Sequence, residues 1–346
     1  MKNSRYSVKP FRPADAELIP RLFMEVYGDA YPVKMVYNPG EMIAAFESRR
    51  YFPFVVRTSP HRIVAFGALY PSAPFKGMYE FGQGVVSAEF RGSGMGRMLF
   101  EFAAEYAPTL PGAEIYFGEA VCNHTHTQKA GELIQTIETG IEVDLLPGHV
   151  YSRCSGISGR VAVVDMFRTY VSKPHTIHVP PMYADILRYI LEGFDDSRTI
   201  EAARGAAPST AATRFSTQIF SAAGVARIAV NDAGADFESA FDSETVPIEN
   251  SGEIKVLQVW LNLSCNWITP IVDALRKRGY FFGGYFPRWF DVDGLLLQKV
   301  PGPPNWDEIR LYSTRSGAIL DFIHGDWASV RRNAETDRGI THDRQH

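Results

Sequence analysis

The apolar positions in the first half of the chain follow two alternating periods. Residues 6–11 have the composition of a short strand, and a helix follows in which Leu18, Leu22 and Val26 recur at helical spacing. Three apolar runs come next, separated by turn-rich segments, which is the pattern of an antiparallel meander. The predicted strands are 53–57, 63–70 and 78–87.

A glycine-rich turn follows the meander, and the apolar period changes there from two residues to nearly four. Met95, Leu99 and Phe102 lie on one face of a predicted helix, which Pro108 brings to an end. Strands then alternate with one further helix up to about residue 172. The predicted elements are strand 115–121, helix 127–137 and strands 140–146 and 160–171.

The second half repeats part of this order after a proline-rich linker at 173–181. A strand, a helix and two strands succeed one another as in the first half, whereas residues 198–214 fit either a short helix or a surface loop. We therefore predict two domains, 1–172 and 173–330, and a polar, frayed tail at 331–346. The predicted elements of the second half are helix 182–193, strands 226–231 and 255–261, helix 267–278 and strands 280–286 and 294–300.

The composition changes this picture little, because it is that of an ordinary globular protein. Of the 346 residues, 45% are hydrophobic and 21% are charged, which leaves enough apolar material for two cores. A net charge of −4 without lysine or arginine blocks argues against binding to nucleic acid or to a membrane surface. No apolar run approaches the roughly eighteen residues of a membrane span.

The cysteine usage indicates a reducing compartment. Cys122, Cys154 and Cys265 are widely spaced, odd in number and without a Cys-x-x-Cys pair, which argues against a disulfide framework and a zinc site. We expect a cytoplasmic protein without a metal. Cys122 ends an apolar strand with no base beside it, so we expect a packing residue rather than a nucleophile.

The segment 85–99 carries the clearest chemical signal in the sequence. It reads Val-Val-Ser-Ala-Glu-Phe-Arg-Gly-Ser-Gly-Met-Gly-Arg-Met-Leu and places small residues where a strand becomes a helix. Such a turn leaves backbone N–H groups unpaired at the positive end of a helix dipole, which favours a phosphate. Glycine at Gly92, Gly94 and Gly96 allows a pyrophosphate to approach closely and allows positive φ angles.

Two well-known phosphate loops do not fit this segment. A Walker loop ends in Gly-Lys-Ser or Gly-Lys-Thr, but Gly96 is followed by Arg97 and Met98. A dinucleotide loop needs Gly-x-Gly-x-x-Gly in an early βαβ unit, whereas this turn follows several strands and has a different spacing. Both loops are therefore disfavoured.

The segment resembles the acyl-CoA binding motif of the GNAT acetyltransferase superfamily, Arg/Gln-x-x-Gly-x-Gly/Ala, with Arg91, Gly94 and Gly96 at the motif positions. The order of elements over residues 5–172 is similar to that of the whole GNAT fold. The resemblance implies an α/β (α+β) fold with a mixed, mostly antiparallel sheet flanked by helices. A second, degenerate GNAT-like α/β domain, which lacks the motif, would follow.

The resemblance also implies how acetyl-CoA, or another acyl-CoA, is bound. In this family the backbone at the end of the strand pairs with the pantetheine arm, and the N–H groups of the loop hold the pyrophosphate. An asparagine commonly ends the next strand, and Asn123 occupies that position here. The implied cofactor-binding residues are Val85, Val86, Ser87, Arg91, Gly92, Ser93, Gly94, Met95, Gly96, Arg97 and Asn123.

Acyl transfer to an amine needs a group that removes a proton. An alkylamine with a pKa of about 10.4 is almost fully protonated at neutral pH, and the shortfall of about 3.4 pH units corresponds to roughly 4.6 kcal/mol. Glu80 lies six residues before Val86, where many GNAT enzymes carry a glutamate base, and strand alternation places both on one face. Glu119 on the neighbouring strand is the rival candidate.

The residue that often acts as general acid in this family is absent from the corresponding position of this sequence. A tyrosine is often found on the helix that follows, but this sequence has Ala130 and Gly131 there. His124 and His126, with ordinary pKa values of about 6.5, are candidates for relaying the proton. The alternative is that both histidines lie at the surface while a neighbouring threonine caps the helix.

The acceptor and two other functions stay open at this stage. We expect a small amine or an amino-acid-like molecule to receive the acetyl group by direct attack in a ternary complex, and a homodimer is compatible with the sequence. The aromatic run 280–290 fits either core packing or the wall of an acceptor pocket. The alternative functions are a catalytically silent CoA-binding protein and a GNAT-fold acyl-CoA decarboxylase in which a histidine polarises the acyl group.

Overall fold

The computed structural model describes residues 6–151, 159–194, 197–206 and 212–343, so that Cys154 lies outside the described residues. The strands are β1 (Val8–Pro10), β2 (Phe52–Ser59), β3 (Arg62–Tyr70), β4 (Met78–Val86), β5 (Ile115–Val121), β6 (Ile137–Pro147), β7 (Arg160–Thr169), β8 (His175–Val179), β9 (Arg198–Ala202), β10 (Arg214–Phe220), β11 (Val225–Asp232), β12 (Val256–Asn262), β13 (Phe281–Phe286) and β14 (Gly294–Lys299). The α-helices are α1 (Ile19–Tyr27), α2 (Pro39–Glu47), α3 (Met95–Tyr106), α4 (His126–Leu133), α5 (Ala184–Leu191), α6 (Phe237–Asn250), α7 (Ile268–Lys277) and α8 (Thr314–Asp343).

Twelve of these strands form one sheet. Their order is β1-β2-β3-β4-β5-β7-β6-β13-β14-β12-β11-β10, and β8 and β9 form a separate parallel pair. Neighbouring strands of the large sheet are antiparallel apart from β4 with β5 and β11 with β12. The expected mixed, mostly antiparallel sheet is therefore confirmed.

The two halves of the large sheet have the same order of elements. In the first half β4, α3, β5, α4, β6 and β7 follow one another, and β7 lies between β5 and β6. In the second half β11, α6, β12, α7, β13 and β14 follow one another, and β14 lies between β12 and β13. Each parallel pair needs a crossover connection, which α3 and α6 provide.

The halves meet edge to edge where β6 lies beside β13. Gly140 and Gly284 are directly opposite each other at this junction. A Cβ on Gly140 would come within 2.7 Å of the Gly284 Cα, and a Cβ on Gly284 within 2.6 Å of the Gly140 Cα. The two glycines therefore allow a backbone approach that side chains would prevent, and one continuous sheet runs through both halves.

Helices cover both faces of the first half of the sheet. Phe54 and Val55 are neighbours on β2, so their side chains point to opposite faces. Phe54 packs in the core beneath α3, with Leu99, whereas Val55 packs in the core beneath α1, with Phe23. The apolar positions that predicted α1 and α3 are therefore the positions that these helices bury against the sheet.

The aromatic run 280–290 is buried between the two halves. Phe286 and Trp289 pack against Phe117, with ring centroids 6.0 Å and 5.8 Å away. Phe167 on β7 and Trp260 on β12 complete this aromatic core, and Trp260 stacks on Trp289 at 5.5 Å. The sequence was compatible with core packing or with the wall of an acceptor pocket, and these contacts are those of core packing.

Differences from the predicted elements lie mainly in the second half. The linker 173–181 contains β8, and the segment 198–214 begins with β9 rather than a helix; its residues 207–211 lie outside the described ranges. Both strands have five residues, and they pair with each other in parallel. Neither strand was predicted, because this pairing is formed by segments that are not adjacent in the sequence. Helix α6 was missed, since Phe237, Phe241 and Thr245 give it a narrow buried stripe.

Helix α8 extends far into the segment expected to be frayed. It comprises 30 residues and continues to Asp343, so residues 331–343 are helical, and 344–346 lie outside the described ranges. The anchoring residues are Ile319, Ile323 and Val330, which are buried in the core of the second half. Among the described helices, none is both long and apolar enough to cross a membrane.

Candidate active site

The parallel strands β4 and β5 separate at the residue predicted to be the base. Their backbone pairing ends at Glu80 and Phe117, whereas β4 continues to Val86 and β5 to Val121. Gln83 has a φ of +58°, and the register between β3 and β4 shifts beside it, which is a bulge that bends β4 away from β5. A wedge opens between the two strands, and the backbone groups of β4 that point away from β3 face it.

The turn after β4 has the geometry of an anion site. Gly92 and Gly94 have φ angles of +77° and +87°, a region that other residues rarely adopt. Helix α3 begins at Met95, so the N–H groups of Met95, Gly96 and Arg97 have no acceptor inside the helix. A Cβ on any of the three glycines would meet no atom within 4 Å, which leaves the turn open to a ligand.

Helix α1 fixes the start of this turn. Glu25 Oε1 accepts a hydrogen bond from the Ser87 hydroxyl at 2.6 Å and one from the Ala88 N–H at 3.1 Å. Because Ser87 is buried and its hydroxyl is used in this way, its backbone is the part that could contact a cofactor. The Ser93 hydroxyl donates to the Phe90 carbonyl at 2.6 Å, so it also stabilises the turn itself.

The other residues predicted to hold the cofactor differ in exposure. Val85 is buried in the core beneath α1, and Val86 is half-buried beside the α3 core. Arg97 is 60% exposed, and its Nε donates to Glu101 at 2.8 Å one helical turn away. Arg91 is exposed at the start of the turn. The structure therefore gathers this set around one helix start, with the backbone as its main polar surface.

Glu80 lies at the base of the wedge with its side chain enclosed. Tyr70, opposite on β3, donates a hydrogen bond to Glu80 Oε1 at 2.7 Å. Burial and then the charge of Glu119 raise the pKa of Glu80 to about 7, although Ser72, Tyr70 and Arg227 oppose the shift. A carboxyl group with this pKa can accept a proton and return it near neutral pH.

Gly82 leaves the space that this pair occupies. A Cβ on Gly82 would overlap the Tyr70 hydroxyl and would come within 3.0 Å of Glu80 Oε1. Glycine is therefore required at this position for packing. Gly82 and Glu80 are two residues apart on β4, so they lie on the same face of the strand. Sequence reasoning missed Tyr70, although the pairing of two neighbouring strands across a short turn would have placed it opposite Glu80.

Glu119, the rival base, belongs to an acidic cluster formed by Glu119 on β5, Glu142 on β6 and Asp165 on β7. One carboxylate oxygen of each lies within 4.8 Å of the others. Glu142 and Asp165 are fully buried. Burial and the charge of Glu119 raise the pKa of Glu142 to about 8, and burial and the charge of Glu142 raise that of Asp165 well above its usual value. Glu142 therefore favours its protonated form at neutral pH, and Asp165 holds a proton more readily than an ordinary aspartate.

Arg227 on β11 is the cation that faces the acidic cluster. Its Nη2 lies 3.2 Å from Glu119 Oε1 and 3.8 Å from Glu142 Oε2, and its Nε donates to Gln258 Oε1 at 3.1 Å. Glu119 is thus the ion-pair partner of a residue in the second half. No local sequence pattern indicates this contact, because 108 positions separate the two residues along the chain.

His124 and His126 lie beyond the far end of β5. Their ring centroids are 5.3 Å apart, and burial followed by the charge of His126 lowers the pKa of His124. The strand covers about 13 Å between Phe117, the partner of Glu80, and Val121. The structure therefore brings Glu80 and Glu119 together but places both histidines at the other end of the wedge, with Asn123.

The start of α4 is held by tertiary contacts. Thr125 occupies the N-cap position, but its side chain makes no capping hydrogen bond. Gln128 instead donates to the Arg310 carbonyl at 2.8 Å and accepts from the Tyr312 N–H at 2.8 Å. Cys122, just before this helix, is buried in an apolar core that raises its thiol pKa, as expected of a packing residue.

The comparison with known proteins agrees with this geometry. The sequence model of the acetyltransferase (GNAT) family matches residues 17–129, a range that includes β4, the glycine-rich turn, α3 and β5. The match covers about a third of the chain and identifies residues 17–129 as a domain similar to the GNAT acetyltransferases. Enzymes of that family use an acyl-CoA as the donor. No curated protein matches the chain at a significant level.

Several solved acetyltransferase structures are similar to about half of the chain. The ribosomal-protein-S5-alanine acetyltransferase from Vibrio fischeri is 13% identical, and the match covers 49% of this chain and 95% of that one with a TM-score of 0.39. The spermidine N-acetyltransferase from Vibrio cholerae, solved with CoA and spermine, is 18% identical over 48% and 96% of the two chains, with a TM-score of 0.37. An N-acetyltransferase from Staphylococcus aureus Mu50 is 14% identical over 48% and 99%, with a TM-score of 0.39.

Proposed function

We propose that this GNAT enzyme transfers the acetyl group of acetyl-CoA to a primary amine by direct attack in a ternary complex. The observation that carries the proposal is the position of Glu80, whose carboxyl group has a pKa of about 7 and lies where β4 and β5 separate. A thioester lying along β4 would have its carbonyl near this carboxylate. The acceptor amine then needs to enter at the same end of the wedge.

Acyl-CoA binding uses mainly the backbone of the first half. The groups of β4 between residues 82 and 86 that face the wedge provide hydrogen bonds for the pantetheine amides. The N–H groups at the start of α3 hold the pyrophosphate, and Arg91 and Arg97 add positive charge beside it. Asn123, His124 and His126 lie on the opposite side of the wedge and contact the cofactor rather than the amine.

The transfer step requires one proton acceptor. Glu80 takes a proton from the ammonium group, and the free nitrogen attacks the thioester carbonyl carbon. The C–S bond then breaks and the sulfur leaves as a thiolate, which takes up the second proton that the nitrogen loses as the amide forms, so that the products are the amide and the CoA thiol. Because an ordinary thiol has a pKa of about 8.5, this leaving group needs little help from an acid, so the lack of a tyrosine near Ala130 does not prevent the reaction. We assign Glu119 to its ion pair with Arg227, not to proton transfer.

The charge around the base restricts the acceptor. When Glu80 is ionised as the base, it and Glu119 carry two negative charges against the one positive charge of Arg227, whereas the raised pKa values of Glu142 and Asp165 favour their neutral forms. The resulting negative charge repels an anionic acceptor but not a neutral or cationic amine. We therefore infer that a small amine without a carboxylate is a better acceptor than an amino acid.

The second half, residues 173–330, acts as a domain without a cofactor of its own. The turn between β11 and α6 corresponds in the fold to the glycine-rich turn between β4 and α3. It contains Asp232, which pairs with Arg214, and Asp236, whose carboxylate accepts hydrogen bonds from Thr213. Two carboxylates at this helix start disfavour a phosphate.

The test is a measurement of CoA release from acetyl-CoA in the presence of neutral, cationic and anionic amines. A thiol-reactive dye follows the free CoA, and mass spectrometry identifies the acetylated amine. We expect amine-dependent release, fastest with neutral and cationic amines. Binding of acetyl-CoA without release for any amine would instead support a silent CoA-binding protein, and release of CO₂ from malonyl-CoA would support a decarboxylase.

A further inference from the structure

Arg227 reaches the candidate active site from the opposite half of the sheet. Five strands separate β5 from β11 in the strand order. The 3.2 Å contact between Arg227 and Glu119 therefore requires the sheet to curl until β11 faces β5. Accumulated strand twist produces such a curl in a large sheet. The second half thus supplies a side chain to a site that is otherwise built by the first half.

Polar side chains line the inside of this curl and fix the guanidinium. Gln298 on β14 accepts a hydrogen bond from the Val143 N–H at 2.9 Å, and Gln258 on β12 donates to Glu142. Gln258 in turn accepts from Arg227, whose guanidinium lies 5.3 Å from the centre of the Trp260 ring. A buried network with these partners holds the cation in one place.

Among the described residues, the groups that act on Glu80 lie on β3, just after β3, on β5 and on β11. Tyr70 on β3 donates a hydrogen bond to Glu80, Ser72 lies just after that strand, Glu119 on β5 is the acidic neighbour that raises its pKa, and Arg227 on β11 is the cation that lowers it. Glu142 on β6 and Asp165 on β7 have raised pKa values, which favours their neutral forms. Arg227 is 20% exposed, so its charge is only partly screened by solvent.

We propose that Arg227 is a positioning residue of the transfer reaction, which supplies from the second half the positive charge that keeps Glu80 able to act as a base at neutral pH. This proposal rests on the function proposed above for Glu80. Arg227 neutralises the Glu119 carboxylate and also attracts the negative charge of Glu80 through space. Without it, four carboxyl groups would share the site with no cation, and Glu80 would retain its proton to higher pH.

The direction of the effect follows from the role of the base. Glu80 must be ionised to accept a proton, so kcat/KM of the parent rises with pH through about 7. A neighbouring opposite charge lowers a carboxyl pKa by about one to three units, and Arg227 contacts Glu119 rather than Glu80. We therefore expect Arg227→Met to move this limb of the profile upward by about one pH unit.

The experiment is a set of kcat/KM profiles against pH for the full-length enzyme. Arg227→Met is expected to shift the limb to higher pH, Glu119→Gln to shift it to lower pH, and the double variant to lie between them because the changes in charge offset each other. Arg227→Lys keeps the charge and is expected to restore most of the parent profile. Arg214→Met removes an exposed arginine of the second half, so it is the matched control with an unchanged profile.

Two further readouts separate positioning from a structural role. Calorimetry should give the same Kd for CoA in Arg227→Met and in the parent. Infrared difference spectra against Glu80→Gln should show the protonated carboxyl band of Glu80 disappearing about one pH unit later in Arg227→Met. If Arg227→Met fails to fold, the opposite shift in Glu119→Gln and the restored profile in Arg227→Lys still decide the matter.

The outcomes distinguish this proposal from the proposed function. An unshifted limb in Arg227→Met or in Glu119→Gln, together with strong loss of rate in Glu80→Gln, overturns the role of Arg227 and leaves Glu80 as the base. A Glu80→Gln variant that keeps the parent rate and profile overturns the base itself. A shifted CoA affinity with an unshifted limb would make Arg227 a structural residue.

Discussion

Glu80 and Arg227 occupy equivalent positions in the two parallel strand pairs. Each is the third residue of its strand, and each pairs with the third residue of the following strand, Phe117 in one case and Gln258 in the other. Pairing between β4 and β5 stops at this position, whereas β11 and β12 stay paired through Val230. The same framework therefore forms an open wedge with a carboxylate in the first half and a closed pair with a cation in the second.

The two halves share a topology, so the chemistry of the first half depends on local differences in backbone conformation. The bulge at Gln83 opens the first pair, and the positive φ angles at Gly92 and Gly94 open the turn beyond it. In the second half Asp232 and Asp236 stand at the corresponding turn. A strand order alone thus does not predict a cofactor site. Substitutions in the glycine-rich turn and at Glu80 would show how much each of these local differences contributes to binding and turnover.

Gly94→Glu should abolish CoA binding, which would remove the cofactor site that distinguishes the first half from the second. The new side chain would have to adopt a φ of +87° and would place a carboxylate where the pyrophosphate is expected. We expect the Kd for CoA, measured by calorimetry, to rise at least about 100-fold, or about 2.7 kcal/mol. Ala235→Glu, in the exposed turn of the second half, is the control and should bind CoA normally. Equal weakening by both variants would contradict the assignment of the cofactor to the first half.

Glu80→Gln should reduce turnover with little change in CoA affinity. Gln can accept the Tyr70 hydrogen bond but cannot take up a proton, so the base is lost while the packing is kept. We expect kcat to fall by about 10² to 10⁴. The measurement is steady-state CoA release over a range of pH, and the parent limb near pH 7 should be absent in the variant. Unchanged kcat would exclude Glu80 as the base.

Glu142→Gln should alter the pH dependence of stability. The pKa of Glu142 is raised to about 8 in the folded protein, so its contribution to stability is complete below the unfolded value and is lost as pH rises towards 8. This loss is about 1.4 kcal/mol per pH unit for one proton. Urea denaturation at pH 5.5 and at pH 8 should show a smaller decrease in the variant than in the parent. Glu101→Gln, on the exposed face of α3, should behave like the parent.

The smallest expected effect is that of Tyr70→Phe. The Tyr70 hydroxyl donates to Glu80 and lowers its pKa, so its removal should move the kcat/KM limb to higher pH by less than about one unit. Tyr79→Phe is the control on β4, because the Tyr79 hydroxyl donates to the Pro111 carbonyl instead. A profile of Tyr70→Phe that coincides with that of Tyr79→Phe would mean that the hydroxyl has no influence on the base.

The parts of the site that lie close in sequence could be predicted, and those that depend on sheet curvature could not. The glycine-rich turn and α3 follow from local spacing, since Gly92, Gly94 and Met95 determine one turn and one helix start. Strand alternation also gave the face of Glu80. The contact between Glu119 and Arg227 depends on how seven strands curl together, and no local pattern encodes that distance.

The fold shows the same division. Amphipathic helices such as α1, α3 and α7 were predictable because each buries one apolar stripe. The short strands β8 and β9 were not. The side chains of β9 are mostly exposed, β8 buries only Ile177 and Val179, and the two strands pair across a distance in the sequence. In the second half, helix α5 and the elements β11, β12, α7, β13 and β14 were predicted, whereas β8, β9, β10, α6 and α8 were not.

The facing glycines 140 and 284 have a consequence for how this protein could be divided. A fragment that ended near residue 172 would keep β6 as an uncovered border with free backbone groups, which other copies could bind through strand addition. The same fragment would retain the whole cofactor turn while losing the Arg227 guanidinium that contacts Glu119. A protein in which one half is replaced by an unrelated domain would therefore need a glycine at the β6–β13 junction and a cation beside Glu119. We expect the two halves to function only as a pair.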